Sequence, residues 1–105
     1  MYKSESIISA PKKNYKNLDE FLQDFRNSIT IDFQYELEVL KSIGVILEVE
    51  SEISETDTEY VAKYVATWKD KKSYEKAFKN KSFSKAVKEV RDVQDKKFKV
   101  VRRKD

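Results

Sequence analysis

The chain has 105 residues, 39% of them hydrophobic and 39% charged, with a net charge of +3. It has no cysteine and no histidine. That composition excludes disulfides, zinc–thiolate sites, c-type haem attachment, a histidine general base and a histidine axial ligand. A single glycine leaves no phosphate-cradling loop or nucleophile elbow.

The length fits one domain over residues 1–105. No apolar run approaches the roughly 20 residues of a membrane span. Residues 1–15 lack the apolar segment of a signal peptide. With no cysteine, these features suit a cytoplasmic protein. Charge is divided along the chain. Residues 1–68 carry seven Lys/Arg and thirteen Asp/Glu, a net of −6, and residues 69–105 carry fifteen and six, a net of +9. The halves attract one another within the fold or across a dimer, or the second half offers a basic face to an anion.

In chain order, Tyr2–Ala10 is a first strand, carried by Ile7 and Ile8 and ended by Pro11. Lys12–Lys16 is a polar connection. Asn17 suits a helix N-cap, with Glu20 placed to complete a capping box. Leu18, Phe21, Leu22, Phe25 and Ile29 follow at helical spacing, and Phe33, Leu37, Leu40 and Ile43 continue the stripe. Ile29-Thr30-Ile31 offers a break with Asp32 recapping, so one helix or two in series both fit. Gly44 falls where a left-handed C-terminal cap belongs.

Val45–Ser54 is a second strand, with Leu47, Val49 and Ile53 alternating with Glu48, Glu50 and Glu52. Glu55–Glu59 turns into a third strand, Tyr60–Trp68, antiparallel to the second. It places Tyr60, Ala62, Tyr64, Ala66 and Trp68 on one face, and Val61, Lys63, Val65 and Thr67 on the other. Asp70 can cap a helix carrying Tyr74, Ala77 and Phe78. Ser82 can cap another carrying Phe83, Ala86, Val87 and Val90. Lys96–Arg103 is a last, basic strand. The order β-α-β-β-α-β predicts an α+β, ferredoxin-like fold, a four-stranded antiparallel sheet with helices on one face. The uncovered face needs a partner, and a second copy is the simplest.

From Gly44 onward the chain resembles the antibiotic-biosynthesis-monooxygenase superfamily, whose ferredoxin-like protomers pair as dimeric α/β barrels. Within it, the small haem-degrading monooxygenases are most similar. The residues that carry the resemblance are Gly44, T-D-T-E-Y-V-A-K-Y-V-A-T-W (56–68), W-K-D-K-K-S-Y (68–74) and K-S-F-S-K-A-V-K-E-V-R (81–91). It implies a homodimer with a small apolar pocket in each protomer. The haem-binding His of that branch falls at Val87 and its ruffling Trp at Ala77. Its first-strand Asn has no clear match. The resemblance therefore argues against conventional haem degradation and implies no cofactor. If the protein is an enzyme, the resemblance implies cofactor-independent oxidation of a small aromatic or quinol-like compound.

The candidate pocket residues are Tyr60, Tyr64, Trp68, Tyr74, Ala77 and Val87, with Lys63 as a charge stabiliser. Tyr60, Tyr64 and Trp68 equally suit a core or a dimer interface. No catalytic base is visible. Glu48, Glu50 and Glu52 can align, but a solvated polar face paired with Lys63 explains them better than a metal. The ferredoxin-like order also fits RNA-recognition domains, yet the Gly-aromatic strand pattern is missing and the acidic ladder repels phosphate, so nucleic acid is disfavoured. Three classes remain: an oxygenase-like binder of a small apolar or aromatic molecule, a non-catalytic homodimeric ligand- or protein-binding module, and a nucleic-acid binder using residues 96–104.

Overall fold

Short polar side chains at fixed points divide the chain into its elements. A computed structural model describes residues 1–105, and it begins with strand β1 (Tyr2–Pro11) and a 3-10 turn (Lys12–Asn14). Asn17 Oδ1 then accepts from the Glu20 amide at 3.0 Å and starts helix α1 (Leu18–Ser28). The helical stretch is two helices in series. Thr30, and not Asp32, caps the second, its Oγ1 accepting from the Phe33 amide at 3.1 Å. Helix α2 (Ile31–Ser42) thus starts before Asp32, because the threonine hydroxyl already meets a first-turn amide.

Gly44, at φ 76°, ends α2. The Val45 amide donates to the Leu40 carbonyl and the Gly44 amide to the Lys41 carbonyl. These are the paired bonds of a Schellman cap, which needs a left-handed residue at that position. Strand β2 (Ile46–Glu55) and strand β3 (Glu59–Trp68) form the expected antiparallel hairpin. Asp70 caps helix α3 (Lys71–Lys79) through a 2.7 Å bond from the Ser73 amide. Asn80, and not Ser82, caps helix α4 (Lys81–Lys97), accepting from the Phe83 amide at 3.1 Å.

Strand β4 is Lys99–Lys104, so Lys96 and Lys97 belong to α4 and not to the last strand. Two lysines complement the negative end of the helix dipole, which favours the longer helix. The sheet order is β2-β3-β1-β4, antiparallel throughout, with all helices on one face. This is the ferredoxin-like α+β fold, with each crossover split into a helix pair.

A register shift between Ile46 and Glu48 bulges β2 at Leu47. Ile46 consequently takes the buried place, at 1% exposure, and Leu47 turns outward. The sequence alternation had placed Leu47 on the inner face. An extra residue inverts the parity of everything before it.

The apolar interior comes in two parts. Trp68 centres one, with Tyr2, Leu37, Ile46, Phe83 and Val87. Phe21 centres the other, with Ile8, Phe25, Tyr60 and Phe98. A polar brace closes the outer end of the second. Tyr15 Oη donates to Asp24 Oδ2 at 2.7 Å, and Lys97 Nζ donates to Asp24 Oδ1 at 2.8 Å. Lys97 and then Tyr15 hold the Asp24 pKa below its usual value. Burial, followed by the bond to Asp24, raises the Tyr15 pKa to about 12.

Two predictions follow from these contacts. A Cβ on Gly44 meets no atom within 4 Å, so Gly44→Ala acts through backbone strain alone. It is expected to cost about 1–2 kcal/mol in denaturant unfolding, with Gly44→Asn milder. Tyr15 holds its proton more tightly folded than unfolded. Its contribution to stability is therefore full below pH 10.0 and is lost as pH rises through about 12. Ultraviolet titration should show a tyrosine titrating near pH 12 that is lost in Tyr15→Phe.

Candidate functional site

The inward row of β1 is Tyr2, Ser4, Ser6, Ile8 and Ala10, and that of β3 is Trp68, Ala66, Tyr64, Ala62 and Tyr60. Tyr2 and Trp68 stand at one end and Tyr60 at the other, and Ser4, Ser6, Ala62 and Ala66 are the small residues between them, around Tyr64 at the centre of β3. Where the two central strands run small, the helices do not fill the gap. A cavity of about 80 Å³ results. That is several times the roughly 10–15 Å³ a single water needs by the same measure.

Twelve of its seventeen lining residues are hydrophobic. Helices α1 and α2 contribute Phe25, Ile29, Phe33 and Leu37; α3 and α4 contribute Phe78, Phe83, Val87 and Val90. The other five are Ser4, Ser6, Arg91, Gln94 and Arg102, and the Tyr64 phenol and Trp68 indole add polar groups.

Several of these groups already have partners. Trp68 Nε1–H donates to Ser4 Oγ at 3.0 Å. Gln94, 4% exposed, donates to Ser28 Oγ at 3.2 Å, and the Ser28 hydroxyl donates to the Phe25 carbonyl. Arg102 Nη1 meets Asp95 Oδ1 at 3.0 Å, whereas Arg102 Nη2 is buried without a partner. Arg91 is half-buried, lies 5.5 Å over the Phe78 ring and takes part in none of the chain's ion pairs. Burial, and then the neighbouring Arg102, pull the Arg91 pKa below its ordinary value. Burial alone raises the Tyr64 pKa. The Tyr64 phenol therefore stays protonated at neutral pH.

Of the residues expected from sequence, the structure brings Tyr64, Trp68 and Val87 to the cavity wall. Tyr60 lies in the second core, its ring 5.6 Å from that of Phe21. Tyr74 stands behind the wall, 5.1 Å from Trp68 and 5.0 Å from Tyr2. Ala77 is buried in the Trp68 core and does not reach the cavity. Lys63 is on the opposite face of the sheet, 3.0 Å from Glu5, so it cannot stabilise charge inside. The alternation of β3 dictates this, since Lys63 and Tyr64 are adjacent and must point apart.

The sequence offers Ser4, Ser6 and Gln94 no role, Arg91 a place only in the family resemblance, and Arg102 one only in the basic run 96–104. The signal for the serines is S-x-S inside a strand, where the inward side calls for bulk. Arg91 and Gln94 follow Val87 at the helical spacings of four and seven.

The acidic ladder is an exposed column on the open face at the β2 edge. Glu52 is opposite Lys63, but the ion pair of Lys63 goes to Glu5. The basic C-terminal run is broken up. Lys97 is paired with Asp24, Arg102 with Asp95, and Arg102 and Arg103 point to opposite faces. No continuous basic strip for a phosphate backbone results.

No protein-family model matches the sequence, and no curated protein matches it. Solved structures match nearly the whole chain at low identity. An ethd family protein from Bacillus halodurans has a TM-score of 0.58 at 12% identity, over 100% of this chain and 98% of that one. A mutant of SnoaB, a cofactor-independent oxygenase from Streptomyces nogalater, has a TM-score of 0.52 at 13% identity, over 99% and 89%. The designed protein Foldit4 has 0.56 at 14%, over 99% and 94%. A design and natural proteins match alike, so the likeness shows the fold alone. No helix is long and apolar enough to cross a membrane.

Ser6 faces the free space, and a β-branched residue suits its strand. Ser6→Val is expected to fill part of the cavity and raise stability by about 0.5–2 kcal/mol. Thermal and urea unfolding beside the parent chain check this.

Proposed function

We propose that the protein is a homodimer of the antibiotic-biosynthesis-monooxygenase type that binds one small aromatic or apolar molecule per protomer, between sheet and helices. The cavity carries this reading. Apolar walls with a few convergent polar groups are the usual make-up of a small-molecule site. Native mass spectrometry of protein taken directly from cells tests it, and a small mass bound to each protomer is the expected result. A saturable change in Trp68 emission on titrating aromatic probes, absent in Ser6→Leu, is the matching solution result. A folded chain that binds none of the probes would sink the reading.

The dimer is supported by the open face. Ile7, Val61, Val65 and Val101 form an apolar stripe there, interrupted by the Lys63–Glu5 ion pair. Glu48, Glu50 and Glu52 flank it on the β2 side, and Lys99 and Arg103 on the β4 side. A second copy turned about an axis parallel to the strands covers the stripe and sets each acidic column over a basic one. The other in-plane axis would place like charges together. Val65→Glu is expected to give a folded monomer by sedimentation velocity, and a variant that remains dimeric would move the interface elsewhere.

Cofactor-independent oxidation is the catalytic form of the same proposal, and the SnoaB likeness of fold is compatible with it. Two guanidinium groups at an apolar cavity favour an anionic substrate form. No carboxylate or other base lines the cavity, so such a substrate would have to ionise without help from the protein. Oxygen uptake with quinol-like compounds separates this from simple binding.

A further inference from the structure

Sheet register places Tyr64, Ser6 and Arg102 side by side across β3, β1 and β4, all facing the cavity. Helix α4 sets Arg91 on the same cavity. This corner holds two guanidinium groups and no carboxylate of its own. The sole acidic partner is Asp95, and it engages only Nη1 of Arg102. Nη2 of Arg102 is buried and unpartnered, and Arg91 has no ion pair at all.

Two neighbouring, partly desolvated cations are costly unless an anion joins them. Other half-buried cations of the chain do have partners: Lys12 pairs with Glu55 and Lys63 with Glu5. Among half-buried cations, the unpaired charge is confined to the cavity.

The geometry points to a carboxylate-bearing ligand. It is a small aromatic or branched apolar monocarboxylate, whose body fills the space beside Trp68, Phe83 and Val87. Its carboxylate is shared by Arg91 and Arg102, with the Ser6 and Tyr64 hydroxyls beside it. The planar guanidinium fork suits the two oxygens of a carboxylate. This assignment rests on the binding role proposed for the cavity and adds the chemical class of its occupant.

The test uses the full chain and three probes of similar shape: benzoate, benzamide and benzyl alcohol. Affinity is measured by calorimetry, and the site is read from the Trp68 indole N–H resonance. Benzoate is expected to bind at least tenfold more tightly than either neutral probe while moving the Trp68 signal. Arg91→Gln and Arg102→Gln should each remove that preference, lowering benzoate affinity at least tenfold more than benzamide affinity. Arg91→Gln loses no ion pair, only the contact with the Phe78 ring, so it should stay folded and keeps the test interpretable if Arg102→Gln unfolds. Equal affinity for charged and neutral probes overturns the carboxylate site while leaving the cavity as a binding site. Benzoate that shifts only surface resonances also overturns it. No binding of any probe overturns both.

Discussion

The feature on which the rest depends is the sequence of side-chain sizes along the two central strands. Ser4 and Ser6 on β1 and Ala62 and Ala66 on β3 stand where a sheet covered by helices normally carries bulk. The helices pack on large sheet residues at the two ends, Trp68 with Tyr2 at one and Tyr60, against Phe21 of α1, at the other, and leave space over the small residues between. Close packing at native density would remove such a gap if the backbone were free to settle. It is not free, because the antiparallel ladders fix the strands and the capped helix pairs fix the spans above them. The gap is therefore a property of the folded chain, and so is the polarity of its corner.

Much of the fold was legible in the sequence because strong local signals agreed with one another. Gly44 marked the end of α2, Asn17 and Asp70 marked two helix starts, and the alternation from Tyr60 to Trp68 gave β3 its faces. The departures have local causes. Thr30 and Asn80 outcompeted Asp32 and Ser82 as caps, since several short polar side chains stood near each helix start and only the backbone decides which one meets a free amide. The bulge at Leu47 is invisible to a pattern of alternating hydrophobicity, because both neighbours of the inserted residue are apolar or long. The last strand began later than its composition suggested, as lysine serves a helix end as well as a strand.

The site was legible only in part. Large aromatic residues attracted notice, and of these Tyr64 and Trp68 do line the cavity, while Tyr60 and Tyr74 are packed elsewhere. What distinguishes the cavity is smallness on the sheet and charge on the helix and last strand. Neither stands out until Ser6, Tyr64 and Arg102 are placed in one row. Val87 occupies the wall at the position where the resemblance places an imidazole, and it gives the cavity an apolar surface there. Arg91, one helical turn on, brings a guanidinium group to the same cavity.

The most direct test is the position of a bound aromatic molecule relative to the methyl groups of the chain. Intermolecular nuclear Overhauser contacts from a saturating aromatic probe should reach the Val87 and Val90 methyls and the Tyr64 ring. These three line the cavity from opposite sides. Contacts confined to Val39, Ile43 and Val45, in the groove between α2 and α3, or to Val65 and Val101 on the open sheet face, would contradict it.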